Sequence, residues 1–219
     1  METAFLDVDG TLVDSNFQHA DAWAQAFKEF GFSFSPQQVF PYIGMGGEKL
    51  VSALLSNVGH EEKEKIGQRH SDIFLKEYAT HVRATRGARD LVSTLRARGH
   101  APTVVTSAHK DELRVVLSAA GLLDLLPSAV TSDDVQKSKP DPDLVIEALQ
   151  KTKTAPADAV MIGDTPYDIE AAHRAGVQII ALLCGGRTEA DLRGAEAIYQ
   201  DPAHLTEHLD QEPMLGGEH

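Results

Sequence analysis

An α/β fold is predicted, with a parallel sheet held between helical layers and an all-helical insertion after the first strand. Three observations predict it. Short β-type runs recur along the chain with helical patterns between the later ones. Glycines sit where helices should stop. One connection, between the first and second runs, is about 70 residues long where a few are usual.

Ala4–Val8 opens the series as a buried strand. Phe17, Ala20, Trp23 or Ala24, Phe27 and Phe30 then recur at helical spacing, Gly31 ends that helix, and Ser35-Pro36 begins another. Leu50–Leu55 and Ile66–Val82 give two more amphipathic helices. This segment divides the chain into a core, residues 1–15 and 84–219, and an inserted helical domain, residues 16–83. The crossings lie near Leu12–Asn16 and Val82–Arg86. Two crossings would let the insert close over the sheet as a lid.

Beyond the insert, strands are expected at Pro102–Thr106, Ala129–Thr131, Ala159–Gly163 and Gln178–Leu183. Helices are expected at Arg86–Arg98, Lys110–Ala120 and Pro166–Ala175, ended by Gly99, Gly121 and Gly176. Asp141 before Pro142 and Thr165 before Pro166 read as N-caps with proline at the first helical position. The tail "QEPMLGGEH" reads as frayed and exposed.

Composition bounds the partners. The chain has 219 residues, 42% of them hydrophobic, enough for a core domain and a smaller companion. A net charge of −13 argues against a nucleic-acid partner, which needs lysine and arginine stripes. Ile179–Cys184, the longest apolar run, is too short to span a bilayer. Cys184 is the single cysteine, so no intrachain disulfide is expected, and Met1-Glu2-Thr3 lacks a secretion pattern; a cytoplasmic location follows as the expectation. Monomer and dimer stay equally open.

In an open parallel sheet, ligands bind at the carboxyl ends of the strands. Those positions are polar here: Asp7 and Asp9 after the first run, Thr106 and Ser107 after the second, Asp164 within "MIGDTPYDIEAAHRAG". Asp168 follows one helical turn later and faces the same crevice. Converging carboxylates repel and raise one another's pKa unless a cation sits among them, and oxygen-only ligands suit Mg²⁺. Lys139, in "SKPDPDLVIEAL", is the basic residue with motif-like surroundings. Metal, carboxylates, a hydroxyl and a lysine are the components of phosphoryl transfer.

"DVDGT", "VVTS", "KPDPD" and "GDTPYD" occur in the order and spacing of the haloacid dehalogenase superfamily, which the chain resembles over nearly its whole length. "FLDVDGTLVDS" and the helical insert resemble the subgroup of phosphoglycolate phosphatase and β-phosphoglucomutase. The resemblance implies a three-layer Rossmann-like core with a helical cap. It implies Asp7 as nucleophile, forming an aspartyl-phosphate, and Asp9 as general acid then base. Thr106 would bind the phosphoryl group, and Lys139 would stabilise nucleophile and phosphoryl oxygens. Mg²⁺ would be held by Asp7, the Asp9 carbonyl and Asp164, with Asp168 outside the first ligand sphere or bridged by water. Asp9 itself disfavours carbon–halogen hydrolysis, since resembling dehalogenases lack an aspartate there.

The expected function is a Mg²⁺-dependent phosphatase of small phosphorylated metabolites. Two alternatives stand beside it: a phosphomutase, and a non-catalytic module that senses phosphate or Mg²⁺. Ser107, Ala108, Gly46, Gly47 and Lys49 are the candidate substrate contacts, with His19 a further polar candidate in the insert. Glycines at 44, 46 and 47 would let backbone approach a ligand closely.

Overall fold

A computed structural model describes residues 3–215. In chain order, β1 (Thr3–Leu6) and β2 (Val13–Asp14) precede α1 (Asn16–Glu29), α2 (Pro36–Val39), α3 (Gly47–Leu54) and α4 (His60–Glu77). Then come β3 (Arg83–Ala84), α5 (Ala88–Ala97), β4 (Thr103–Val105), α6 (Lys110–Ala119) and β5 (Ala129–Val130). The last part holds α7 (Asp143–Thr152), β6 (Ala159–Gly163), α8 (Pro166–Arg174), β7 (Gln178–Leu182), β8 (Ala197–Tyr199) and α9 (Pro202–His208).

Six strands form one parallel sheet in the order β5-β4-β1-β6-β7-β8. The chain fills one side of β1 and then the other, so the crevice for a ligand opens at β1's carboxyl end. Alternation along the strands feeds two cores. Ala4, Leu6, Val104, Ile162 and Ile180 face α5, α6 and α9, while Phe5, Val105, Met161 and Ile179 face α7 and α8.

The long connection holds α1 to α4 around buried Trp23, Phe27, Leu50, Ile66 and Phe74. Each of these fills a tight space; cutting Phe27 to alanine should cost about 3–5 kcal/mol. At the two crossings, β2 and β3 pair as an antiparallel ribbon, Val13 opposite Ala84 and Asp14 opposite Arg83. Thr85 tightens it by donating to the Thr11 carbonyl at 2.7 Å.

Several sequence expectations need correction. β1 and β4 stop earlier than Val8 and Thr106, which frees Asp7 and Thr106 from the ladder at the crevice. The helix expected over Ile66–Val82 runs from His60 to Glu77 instead. Phe17 is not in the helix stripe: it is 60% exposed and stacks on Phe40 at 4.5 Å. Asp141 does not cap α7, whose cap position is Pro142; its carboxylate is taken by Lys49 and Arg174. Thr165 does cap α8, with a reciprocal pairing to Asp168. The tail is packed as far as Leu215, which is fully buried, and Glu212 accepts from the Tyr199 hydroxyl at 2.7 Å. The remainder of that tail lies outside the described residues, as do the first two residues. Among those described, no helix is long and apolar enough to cross a membrane.

Candidate active site

Asp7 follows β1 directly, and its N–H donates to the Ile162 carbonyl at 2.9 Å, so it stays in register with β6. Asp164 follows β6, and the α8 capping pair sets Asp168: Thr165 donates to the Asp168 carboxylate from its hydroxyl at 2.6 Å and its N–H at 3.1 Å. Oxygens of Asp7, Asp164 and Asp168 then lie within 4.8 Å of one another, all buried. Asp168 therefore belongs to the carboxylate cluster itself.

Lys139, 1% exposed, is the cation that faces the cluster. Its ammonium donates to Asp7 at 2.6 Å and to the Val105 carbonyl at 2.9 Å, and pairs with Asp168 at 2.7 Å. It thus has two hydrogen-bond acceptors and a second carboxylate at ion-pair distance. Burial works against its charge, but Asp168 and Asp7 overcome that and hold its pKa up. Burial raises the Asp7 pKa strongly, with Asp168 and Asp9 adding to the rise and Lys139 opposing it. Asp164, fully buried, is raised well above the usual carboxylate range by burial and by both neighbouring acids.

Asp9 is held apart from this cluster. Ser15 donates to it at 2.6 Å and His19 Nε2 lies at 3.1 Å. Ser15 occupies the N-cap position of α1 yet makes no cap hydrogen bond, a contribution of about 1 kcal/mol given up to orient Asp9. His19 Nδ1 meets His70 Nε2 at 3.1 Å. A protonated His19 donates from both nitrogens, to Asp9 and to a neutral His70. The charges agree: burial opposes ionisation of both Asp9 and His19, but their mutual attraction wins and lowers the first pKa while raising the second. His70 is driven well below its usual range by burial and by His19.

The donor set fits Mg²⁺. It is all oxygen, and its like charges are compensated by one lysine alone. Two glycines leave room for it: a Cβ on Gly185 would fall 1.8 Å from an Asp164 oxygen, and one on Gly10, whose φ is +82°, would fall 2.2 Å away. Asn16 donates to Asp164 at 2.8 Å and to the Gly185 carbonyl at 3.0 Å, which settles its orientation. Its Oδ1 is buried without a partner beside the cluster, an acceptor suited to a metal-bound water.

A cavity of about 700 Å³ opens above, between core and insert. Asp7, Asp9, Thr106, Ser107, Ala108, Gly46, Gly47 and Lys49 line it, whereas Lys139, Asp164 and Asp168 lie outside its lining, buried. Thr106 Oγ1 accepts from the Ala108 N–H at 3.1 Å. Gly46 and Lys49 differ from expectation. A Cβ on Gly46 would meet Ser138 at 2.5 Å, so this glycine admits the core loop rather than a ligand. Lys49 is engaged by the Ser138 carbonyl and Asp141.

Thr11, Ser15, Asn16, His70 and Glu112 were not legible as site residues. Thr11 and Ser15 stand inside the first motif but read as turn and cap. Asn16 meets Asp164 across 148 positions, a pairing that no local spacing announces.

Comparison with known proteins agrees with this geometry. Residues 4–182 match the family model of haloacid dehalogenase-like hydrolases. Validoxylamine A 7'-phosphate phosphatase of Streptomyces hygroscopicus subsp. limoneus is 29% identical, over 91% of this chain and 93% of its own. A phosphoglycolate phosphatase of Nitrosospira multiformis is 30% identical over 84% of each. The crystal structure of a hydrolase from Pseudomonas syringae superposes with a TM-score of 0.90 at 30% identity, covering 96% of this chain and 98% of that one.

Proposed function

The chain belongs to the haloacid dehalogenase-like hydrolase family, and from that premise we propose that it is a Mg²⁺-dependent phosphatase of small phosphate monoesters acting through an aspartyl-phosphate. The observation that carries this reading is the separation of its two aspartates. Asp7 is fixed by Lys139 among the buried acids, while Asp9, two residues on, is turned to Ser15 and His19. The relatives named for phosphatase activity support it.

In the first step an Asp7 oxygen attacks phosphorus, the ester P–O bond breaks, and the departing alkoxide takes a proton from Asp9. The dianion of a bound ester, beside Asp9, favours the protonated acid against the pull of His19. Water then attacks phosphorus, giving its proton to Asp9, and the bond to Asp7 breaks to release phosphate. Lys139 keeps the attacking carboxylate pointed upward and offsets charge on the phosphoryl oxygens; Thr106 offers its hydroxyl to the same group. Mg²⁺, when held by Asp7, Asp164 and the Asp9 carbonyl with Asp168 adjacent, would supply positive charge that lets a phosphate dianion approach four acids.

The test is release of phosphate from p-nitrophenyl phosphate. Turnover should require Mg²⁺, stop in excess chelator and return on adding the metal. Undiminished turnover in verified metal-free enzyme would overturn the magnesium assignment, and no turnover of any phosphate ester would favour the non-catalytic alternative.

A further inference from the structure

Glu112 belongs to the first turn of α6 in the core, yet it lines the cavity between core and insert and is only 5% exposed. Ser71 of α4 lines the same cavity. Among the described residues no lysine or arginine forms an ion pair with it. A carboxylate accepts about four hydrogen bonds, so most of this group's capacity is unused inside the wall of a binding cavity. His19 and Asp9 line the same cavity, and Asp9 is the residue proposed above to protonate the departing alcohol.

The remaining charges on that side narrow the ligand. Lys49 is bound to Asp141, Lys65 to Glu61, and Lys63 donates to Ser52. Lys137 stands at the exposed rim. Of the cavity's cations, Lys63 and Lys137 have no acid partner among the described residues and His19 is turned to Asp9, but none of the three pairs with Glu112. A leaving group with its own carboxylate or second phosphate would therefore meet the Glu112 carboxylate at a cost of several kcal/mol for like charges. A leaving group rich in hydroxyls supplies the donors that Glu112 lacks, and a space of about 700 Å³ is far larger than a two-carbon acid needs.

We propose that Glu112 is a specificity-determining residue that accepts hydrogen bonds from hydroxyls of the leaving alcohol, so that the substrate is a phosphorylated polyol of the sugar or cyclitol kind. This rests on the phosphatase reading above and adds the substrate class to it. Such a site rejects an alcohol without the hydroxyls because the buried carboxylate is then left unpaired.

The experiment compares kcat/KM for glucose 6-phosphate, sorbitol 6-phosphate, 2-phosphoglycolate and p-nitrophenyl phosphate, all with Mg²⁺. At least one polyol phosphate should exceed 2-phosphoglycolate. Glu112→Gln should lower the ratio of that polyol ester to the aryl ester by about tenfold and raise 2-phosphoglycolate relative to the polyol. Ratios do not move with the fraction of folded enzyme, and because weakened proton donation by Asp9 would lower both alkyl esters against the aryl ester together, the ratio of polyol ester to 2-phosphoglycolate is the one that decides. If the wild type hydrolyses the aryl ester but prefers 2-phosphoglycolate, or if Glu112→Gln leaves the ratios within twofold, this inference falls alone. If the wild type hydrolyses none of the four, the phosphatase reading falls and takes this one with it.

Discussion

Asp7 and Asp9 leave the same strand end, and one residue of backbone between them gives their carboxylates different neighbours. Asp7 meets Lys139, and Asp9 meets Ser15 and His19. Their substitutions should therefore fail differently. Asp7→Asn should abolish turnover of every ester, since the amide cannot attack phosphorus. Asp9→Asn should slow alkyl esters about 10²–10⁴-fold and aryl esters much less, because an aryl leaving group needs little protonation. Equal losses on both ester types in a steady-state assay would refute the division of labour. Cys184 gives a second residue-scale expectation. Burial, with Asp164 nearby, pushes its thiol up to about 12, and it donates to the Gly10 carbonyl at 3.2 Å. At pH 8 the reactive thiolate is then about one part in 10⁴. Native protein should resist iodoacetamide while the urea-unfolded chain reacts readily, and mass spectrometry of the labelled chain decides it.

At the scale of elements, the pairing of α1 with α4 holds two histidines in opposite states. The folded protein keeps His70 neutral, its pKa well below 6.5, so the unfolded chain binds the extra proton as pH falls through 6.5. Stability from this group is lost on the acid side, by up to about 1.4 kcal/mol per pH unit. His19 behaves in reverse: its raised pKa contributes stability in full below 6.5 and loses it as pH climbs through the folded value. His70→Gln keeps an acceptor for His19 and removes the acid-sensitive group. Its melting temperature should drop less between pH 7 and pH 5 than that of the wild type; parallel curves would show that His70 titrates normally. The elements themselves were unevenly legible. Strands β1, β6 and β7 carry continuous apolar runs, and Gly99, Gly121 and Gly176 take positive φ where helix ends were expected. β8, with three half-buried residues, and the two-residue strands β2 and β3 have too few alternations to show a period. Asp7, Thr106, Lys139 and Asp164 could be found because strand ends and short motifs are local. Asn16 and His70 could not, because each acquires its partner from a distant turn of the chain, and Glu112 could not, because the cavity it lines is built from distant segments.

Across the whole molecule, the insert is joined to the core by two kinds of contact. The β2–β3 ribbon is covalently continuous with both parts and survives any relative motion, whereas the seam between segment 40–46 and the core would break if the insert swung away. That seam is polar and concentrated. Arg187 of the core donates to the carbonyls of Phe40, Pro41 and Ile43, its guanidinium lies 4.9 Å from the Phe40 ring centre, and Tyr167 donates to Pro41 at 2.8 Å. Gly46 N–H donates to the Lys139 carbonyl at 3.1 Å, which ties the seam to the loop that carries Lys139. Such contacts are water-exchangeable and contribute modestly each, so an open form lies within reach. A hydrogen bond from a charged donor is worth about 1.5–3 kcal/mol, and losing even the lower amount shifts a two-state population about tenfold. Arg187→Ala should therefore favour the open form: cutting by a protease at the crossings, 12–16 and 82–86, should quicken severalfold in the ligand-free protein. Mg²⁺ with orthovanadate, which occupies the phosphoryl position, should slow cutting in both proteins by favouring closure over the cavity. If the wild type is cut equally with and without these ligands, the insert is a fixed wall, and substrate reaches Asp7 by another route.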